Sequence, residues 1–161
     1  MQKVYYKSPI GWMEIAGDGK AVSSVVFVSR PAAVSGKKAA VPALLRRCAK
    51  ELDEYFRGKR TGFSVPVRLE GTCFQSLVWD KLRRIRYGHR ASYRELAAAV
   101  GAPRAARAVG GALNKNKIAV VIPCHRVIGH GGDLTGYAAG VWRKRRLLDH
   151  ERRVVTRDGR I

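Results

Sequence analysis

Cys124 and His125 stand side by side at the end of an apolar run, in VVIPCHRVI over residues 120–128. Cysteine is the most nucleophilic side chain near neutral pH, and its thiolate fraction rises when an imidazole takes its proton, directly or through a water. Ile118 to Ile122 is continuously apolar and β-branched apart from Ala119, which predicts a buried strand. Pro123 has no N–H to donate and should end or bend that strand. A bare Cys-His pair is also what a buried thiol beside a hydrogen-bonded histidine looks like, so the flanking residues have to decide. The other two cysteines read as structural. Cys48 falls on the apolar stripe of a predicted helix, and Cys73 falls at a helix start, where the dipole lowers a thiol's pKa but nothing nearby completes a site. Three cysteines without CxxC spacing argue against a zinc cluster or a disulfide framework, and a Cys48–Cys73 bond stays open.

The elements that must hold these groups predict an α/β (α+β) protein of two small domains, residues 1–70 and 71–161. The first reads as a small antiparallel sheet with a helix: strands at Val4 to Lys7, Trp12 to Ala16 and Ala21 to Val28, with a Gly17-Asp18-Gly19 turn. Residues 31–40 read as a loop, and Val41 to Phe56 as a helix with Leu44, Cys48, Leu52, Tyr55 and Phe56 along one side. Phe63, Val65, Val67 and Leu69 alternate with polar residues and predict a strand that Pro66 confines to an edge.

The second domain reads as mostly helical, with a helix-turn-helix and a short active-site strand. Thr72 and Gln75 form a capping box before a helical stripe of Phe74, Leu77, Val78, Leu82 and Ile85 that Gly88 should stop. Ser92 and Glu95 form a second box, opening a helix that Gly101 ends. Pro103 to Leu113 then reads as the second helix of the pair, with Pro103 suited to its first turn. Two adjacent glycines inside it cost about 1 kcal/mol each relative to alanine. Close helix packing is one explanation. The other is that Ala105, Ala106, Ala108, Gly110 and Gly111 keep one face flat, so that it enters a groove as narrow as the minor groove of B-DNA, about 6 Å. A last helix is expected at Val141 to Glu151.

Charge sharpens the second explanation. Lys plus Arg number 32 against 12 Asp plus Glu, giving a net charge of +20. Residues 1–80 hold 13 basic and 7 acidic residues, and residues 81–161 hold 19 and 5. A half-molecule so unbalanced faces a polyanion, with nucleic acid the default partner. No apolar stretch approaches the roughly 20 residues that span a membrane, and the amino terminus lacks a signal-peptide core. Both features lead us to expect a cytoplasmic protein.

The octet IPCHRVIG resembles the active-site signature of the O6-alkylguanine-DNA alkyltransferases, which move an alkyl group from guanine onto their own cysteine. The resemblance runs from Thr72 to about Glu151, through FQSLVWDKL, SYRELAAAVGAPRAARAVGGAL and LTGYAAG, in the family's order. The first 70 residues match more loosely, mainly at SPIG. The resemblance implies a single-turnover, direct-reversal DNA repair protein acting on double-stranded DNA that contains O6-alkylguanine. It implies a monomer, with no metal, cofactor or small-molecule methyl donor.

It also implies roles. Cys124 would accept the alkyl group, with Glu151 orienting His125 in a relay that ends, through a water, at the sulfur. Asn116 matches a hinge asparagine, although ordinary turn chemistry explains it equally well. Tyr93 matches a tyrosine that crowds the 3′ phosphate and offers its hydroxyl to the base, and Arg107 matches the finger that replaces a base rotated out of the duplex. Ala106, Ala108, Gly110 and Gly111 would lie against DNA. Leu113, Val127, Gly136, Tyr137 and Ala138 would line the base pocket, with Gly129 to Gly136 its mobile wall. Ala138 departs from the serine of the vertebrate pattern, so any side-chain contribution there is lost. The alternative is a non-catalytic damage-flagging or helix-turn-helix module. The flagging relatives lack the cysteine, and a cysteine protease reading leaves the charge unexplained.

Overall fold

A computed structural model describes residues 1–33 and 40–159, which fall into two compact units, Met1–Arg68 and Leu69–Ile161. Most of the loop expected at residues 31–40 lies outside the described residues.

In the first unit, strands β1 (Gln2–Ser8), β2 (Gly11–Gly17) and β3 (Val22–Val28) form an antiparallel sheet in that order. Local chemistry sets both hairpins. Ser8 Oγ donates to Gly11 O (2.7 Å) and Gly11 takes φ 126°, while the Asp18 carboxylate accepts from Lys20 N (2.7 Å) and Ala21 N (2.9 Å). Helix α1 (Ala43–Phe56) packs on the sheet and buries Leu45, Cys48, Leu52 and Tyr55. Its stripe is thus set by Leu45 rather than Leu44, and Phe56 is only half buried, stacked on the Tyr6 ring. The strand expected at 63–69 is reduced to one parallel bridge, Val22 with Val67. The reason is local: Ser64 N donates instead to the buried Glu51 carboxylate (2.9 Å), and Pro66 has no N–H to give.

The second unit begins with α2 (Cys73–Leu82), followed by β4 (Ala91–Ser92), α3 (Tyr93–Ala99) and α4 (Ala106–Asn114). A 3-10 turn at Cys124–Arg126 leads into β5 (Val127–Ile128), which pairs in parallel with β4, and α5 (Val141–Arg157) closes the unit. Both capping boxes are present, Thr72 with Gln75 and Ser92 with Glu95. Several expectations need correction. Helix α2 stops at Leu82, and it buries Trp79, whose indole donates to Ala112 O (2.9 Å), while Leu77 is 51% exposed. Helix α4 starts at Ala106 rather than Pro103, whereas α5 runs two turns beyond Glu151.

The last correction concerns the residues before the thiol. Ile118 to Ile122 is not a strand but a buried tight turn, and the short strand of this region, β5, follows Cys124 instead. Val121 N bonds to Ala119 O (2.8 Å) around Val120 at φ 69°, and Ile122 N bonds to Ile118 O (3.0 Å). A β-branched residue at positive φ is strained. The Asn116 side chain holds the turn shut, accepting from Ile118 N (2.9 Å) and donating to Ile122 O (3.1 Å). A second i→i+2 bond, Cys124 N to Ile122 O (2.8 Å), turns the chain again at Pro123 (φ −82°, ψ 61°), an inverse γ-turn. Among the described residues no helix is long and apolar enough to cross a membrane.

Candidate active site and nucleic-acid interface

These two turns deliver Cys124 and His125 to the first residues of a 3-10 turn, with the thiol 9% exposed and the imidazole fully buried. His125 Nε2 lies 2.7 Å from Glu151 Oε1, bringing together α5 and the turn from 26 residues apart. Glu151 is itself 1% exposed and accepts from Arg126 Nε (2.9 Å to Oε2), from Arg126 Nη2 (2.9 Å to Oε1) and from Gly88 N (3.2 Å). Arg126 also donates to Ile85 O (2.7 Å), and its guanidinium lies 5.5 Å from the centre of the Tyr87 ring.

Charges follow from this geometry. Burial alone would raise the Glu151 pKa, but His125 and the Arg126 guanidinium hold it well below the usual carboxylate range. Arg126 is always charged, so the carboxylate stays ionised without a protonated imidazole beside it. Burial lowers the His125 pKa below its ordinary 6.5, against the pull of Glu151. The imidazole is therefore neutral near pH 7. An ionised Glu151 only accepts, so Nε2 carries the proton and donates, leaving Nδ1 as a lone pair. That Nδ1 is buried and has no hydrogen-bond partner. It is a base with nothing yet to take.

Around the sulfur the field is mixed. Burial pushes the Cys124 thiol above its ordinary 9.0, opposed by the Asn116 side chain and the Lys144 ammonium. Lys144 is 1% exposed, and its Nζ donates to Gly136 O (3.2 Å) and sits 5.8 Å from the centre of the Tyr93 ring. Burial lowers its pKa, and the Cys124 sulfur works the other way. The Tyr137 hydroxyl is buried without a well-formed hydrogen bond, and burial and the Cys124 sulfur together hold it protonated far above 10.0. Neither Arg126 nor Lys144 was singled out from sequence as a site residue. Lys144 stands in the basic run Arg143 to Arg146, which reads as solvated surface, and Arg126 stands among apolar residues beside the Cys-His pair, where nothing local names its carboxylate partner.

The structure brings Tyr93, Cys124, Tyr137 and Lys144 to one place. The Tyr93 hydroxyl donates to Thr135 O (2.9 Å), and a Cβ on Gly110 would come within 3.9 Å of the Tyr93 ring. Gly136 takes φ 65° and Ala138 is exposed. Leu113 and Val127 lie in the packed interior, Val127 within the β4–β5 pair. Helix α4 buries Val109, Ala112 and Leu113 and exposes Arg107, Ala108 and Gly111, with Ala106 and Gly110 half exposed. An added Cβ at Gly111 would meet nothing within 4 Å. Internal packing does not require that glycine, so the flat face is built for something outside the chain.

A helix pair of this kind beside a buried cysteine and a buried imidazole–carboxylate pair fits a nucleic-acid-binding protein with a reactive cysteine. Family models agree: residues 73–160 match the 6-O-methylguanine DNA methyltransferase DNA-binding domain, and residues 1–69 match that family's ribonuclease-like domain. The chain is 42% identical over 158 residues to a methylated-DNA–protein-cysteine methyltransferase of Methanosarcina barkeri, covering 92% of this chain and 97% of the relative. It resembles the crystal structure of Mycobacterium tuberculosis O6-methylguanine methyltransferase (TM-score 0.83, 39% identity, 94% and 93% of the two chains). It resembles equally the M. tuberculosis OGT in complex with DNA (TM-score 0.83, 41% identity, 93% and 92%). The chain belongs to the 6-O-methylguanine DNA methyltransferase family.

Proposed function

We propose that this protein repairs duplex DNA by moving the alkyl group of O6-alkylguanine onto Cys124, once per molecule. The observation that carries the mechanism is the divided imidazole: Nε2 held by Glu151 at 2.7 Å, Nδ1 buried and unpartnered, one residue from the thiol. His125 Nδ1 takes the thiol proton, directly or through one water. The Cys124 sulfur attacks the sp3 alkyl carbon, the new S–C bond forms as the C–O6 bond breaks, and guanine leaves with that electron pair and takes up one proton. Lys144 supports the thiolate by charge, and Asn116 locks the turn that aims it. The product thioether has no easy hydrolysis route, so the sulfur is not regenerated.

The lesion reaches the sulfur only if its nucleotide rotates out of the stack. The flat exposed face of α4 suits minor-groove docking, and Arg107, exposed on that face, fills the vacated place. Tyr93 meets the rotated nucleotide, and the Gly136–Ala138 backbone with Tyr137 encloses the base. All three cysteines are free thiols, which fits a reducing compartment and supports a cytoplasmic location.

The test is intact mass with peptide mapping after incubation with a duplex carrying one O6-methylguanine and with an undamaged control. One methyl on the Cys124 peptide, gained only with damaged DNA and absent in Cys124→Ser, is the expected result. A methylated Cys124→Ser protein, or binding to lesion DNA without mass gain, refutes the assignment.

A further inference from the structure

The stretch from the end of α2 to the start of α3 holds six cations in 14 residues, Lys81, Arg83, Arg84, Arg86, Arg90 and Arg94, with no Asp or Glu among them. None forms an ion pair with a described residue. In the first unit Lys3, Arg47, Lys50, Arg57, Arg60 and Arg68 each have a carboxylate partner, while Lys7, Lys20, Arg30, Arg46 and Lys59 form no ion pair with a described residue. Unpaired cations therefore occur in both units, and what sets this stretch apart is their density with no acid between them.

Three of these cations, Lys81, Arg84 and Arg90, line a cavity of about 400 Å³ whose apolar side is Ile85 and Leu96. Its one acidic lining residue, Glu95, already accepts from Ser92 N at 2.6 Å, closing the cap of α3. The cavity opens beside Glu95 and Ala99, well round the axis of α3 from Tyr93 and Ala97, so it is separate from the alkyl-transfer site and from the flat face of α4. Arg90 lies two residues before the α3 cap. In a helix-turn-helix the first helix crosses the sugar-phosphate backbone, so the cationic stretch continues from an edge that nucleic acid already approaches.

We infer that this cavity is a second, lesion-independent site for phosphodiester groups, holding nucleic acid backbone outside the footprint of α4. Arginine forks match phosphate oxygens two at a time, and a lysine adds a point charge. The apolar wall suits the deoxyribose between phosphates. The phosphates come either from the flank of the duplex being scanned or from a second duplex. This inference rests on DNA as partner but not on the thiol chemistry.

Undamaged DNA keeps the two apart. The variant Lys81→Gln/Arg84→Gln/Arg90→Gln is compared with wild type on duplexes of about 10 base pairs, one helical turn, and about three times that length. Each lost phosphate contact makes the slope of log affinity against log salt shallower by about 1, so a change of about 2–3 is expected. Lys81→Arg keeps the charge and should keep the slope. Transfer from free O6-benzylguanine base should be unchanged in both variants, which shows that the fold is intact. An effect confined to the long duplex at one duplex per protein identifies the flank, and two short duplexes per wild-type protein identify a second molecule. An unchanged slope on both lengths overturns the proposal. So does an equal loss on both at one duplex per protein, since the cavity would then belong to the α4 footprint.

Discussion

Glu151 is the residue on which the relay depends, because one carboxylate sets the imidazole tautomer and neutralises the buried Arg126. In Glu151→Gln the shape survives but the guanidinium loses its counter-charge, at a cost of about 3–5 kcal/mol for a broken buried pair. The folded pKa of Glu151 lies below its ordinary 4.5. Its contribution is therefore present above pH 4.5 and lost as pH falls towards the folded value. Melting temperature against pH should show an acid-side decline in wild type that Glu151→Gln flattens from a lower plateau. Lys144→Met tests a different charge. Without the ammonium the thiol pKa rises further, and each unit lowers the thiolate fraction about tenfold at neutral pH. Transfer should slow at pH 7 and recover as pH increases, and an unshifted pH–rate profile would remove Lys144 from the reaction. Cys124 and His125 were legible through the octet IPCHRVIG that surrounds them, since the bare pair left a purely structural reading open. Arg126 and Lys144 were not, because a cation's burial depends on which distant carboxylate or sulfur the fold supplies.

Among the elements, local chemistry was readable and tertiary choice was not. Both capping boxes were evident because cap and partner lie three residues apart. The stripe of α2 was misread because Trp79 is drawn inward by a carbonyl on α4, a partner that periodicity does not contain. The run at 118–122 was read as a strand because continuous apolar sequence shows burial but not whether the buried backbone is extended or turned. Helix α4 carries the prediction at this scale. Gly111→Leu places a side chain in open space, so the isolated protein should be as stable as wild type or slightly more so, since leucine favours helix over glycine by up to about 1 kcal/mol. Binding to duplex DNA should nevertheless fall sharply, while transfer from free O6-benzylguanine base persists. Unaltered DNA affinity would mean that the flat face is not the docking surface.

For the molecule as a whole, the electrostatic influence of the Cys124 sulfur on the buried Lys144 has an outcome that appears only after the chemistry is over. A thioether cannot ionise, so methyl transfer removes for good the sulfur's share in favouring a charged Lys144 and leaves only the Gly136 carbonyl and the Tyr93 ring. It also adds a methyl to a nearly closed site, and overpacking of this kind costs about 1–3 kcal/mol. The methylated protein should therefore melt several degrees below the unreacted one, with Lys144→Met narrowing the gap, and differential scanning calorimetry on the two forms would measure it. Local opening of a weakened structure is what proteases sample. Spent copies would thus be distinguished from fresh ones by their own altered electrostatics, so the same lysine that readies the sulfur also dates the protein.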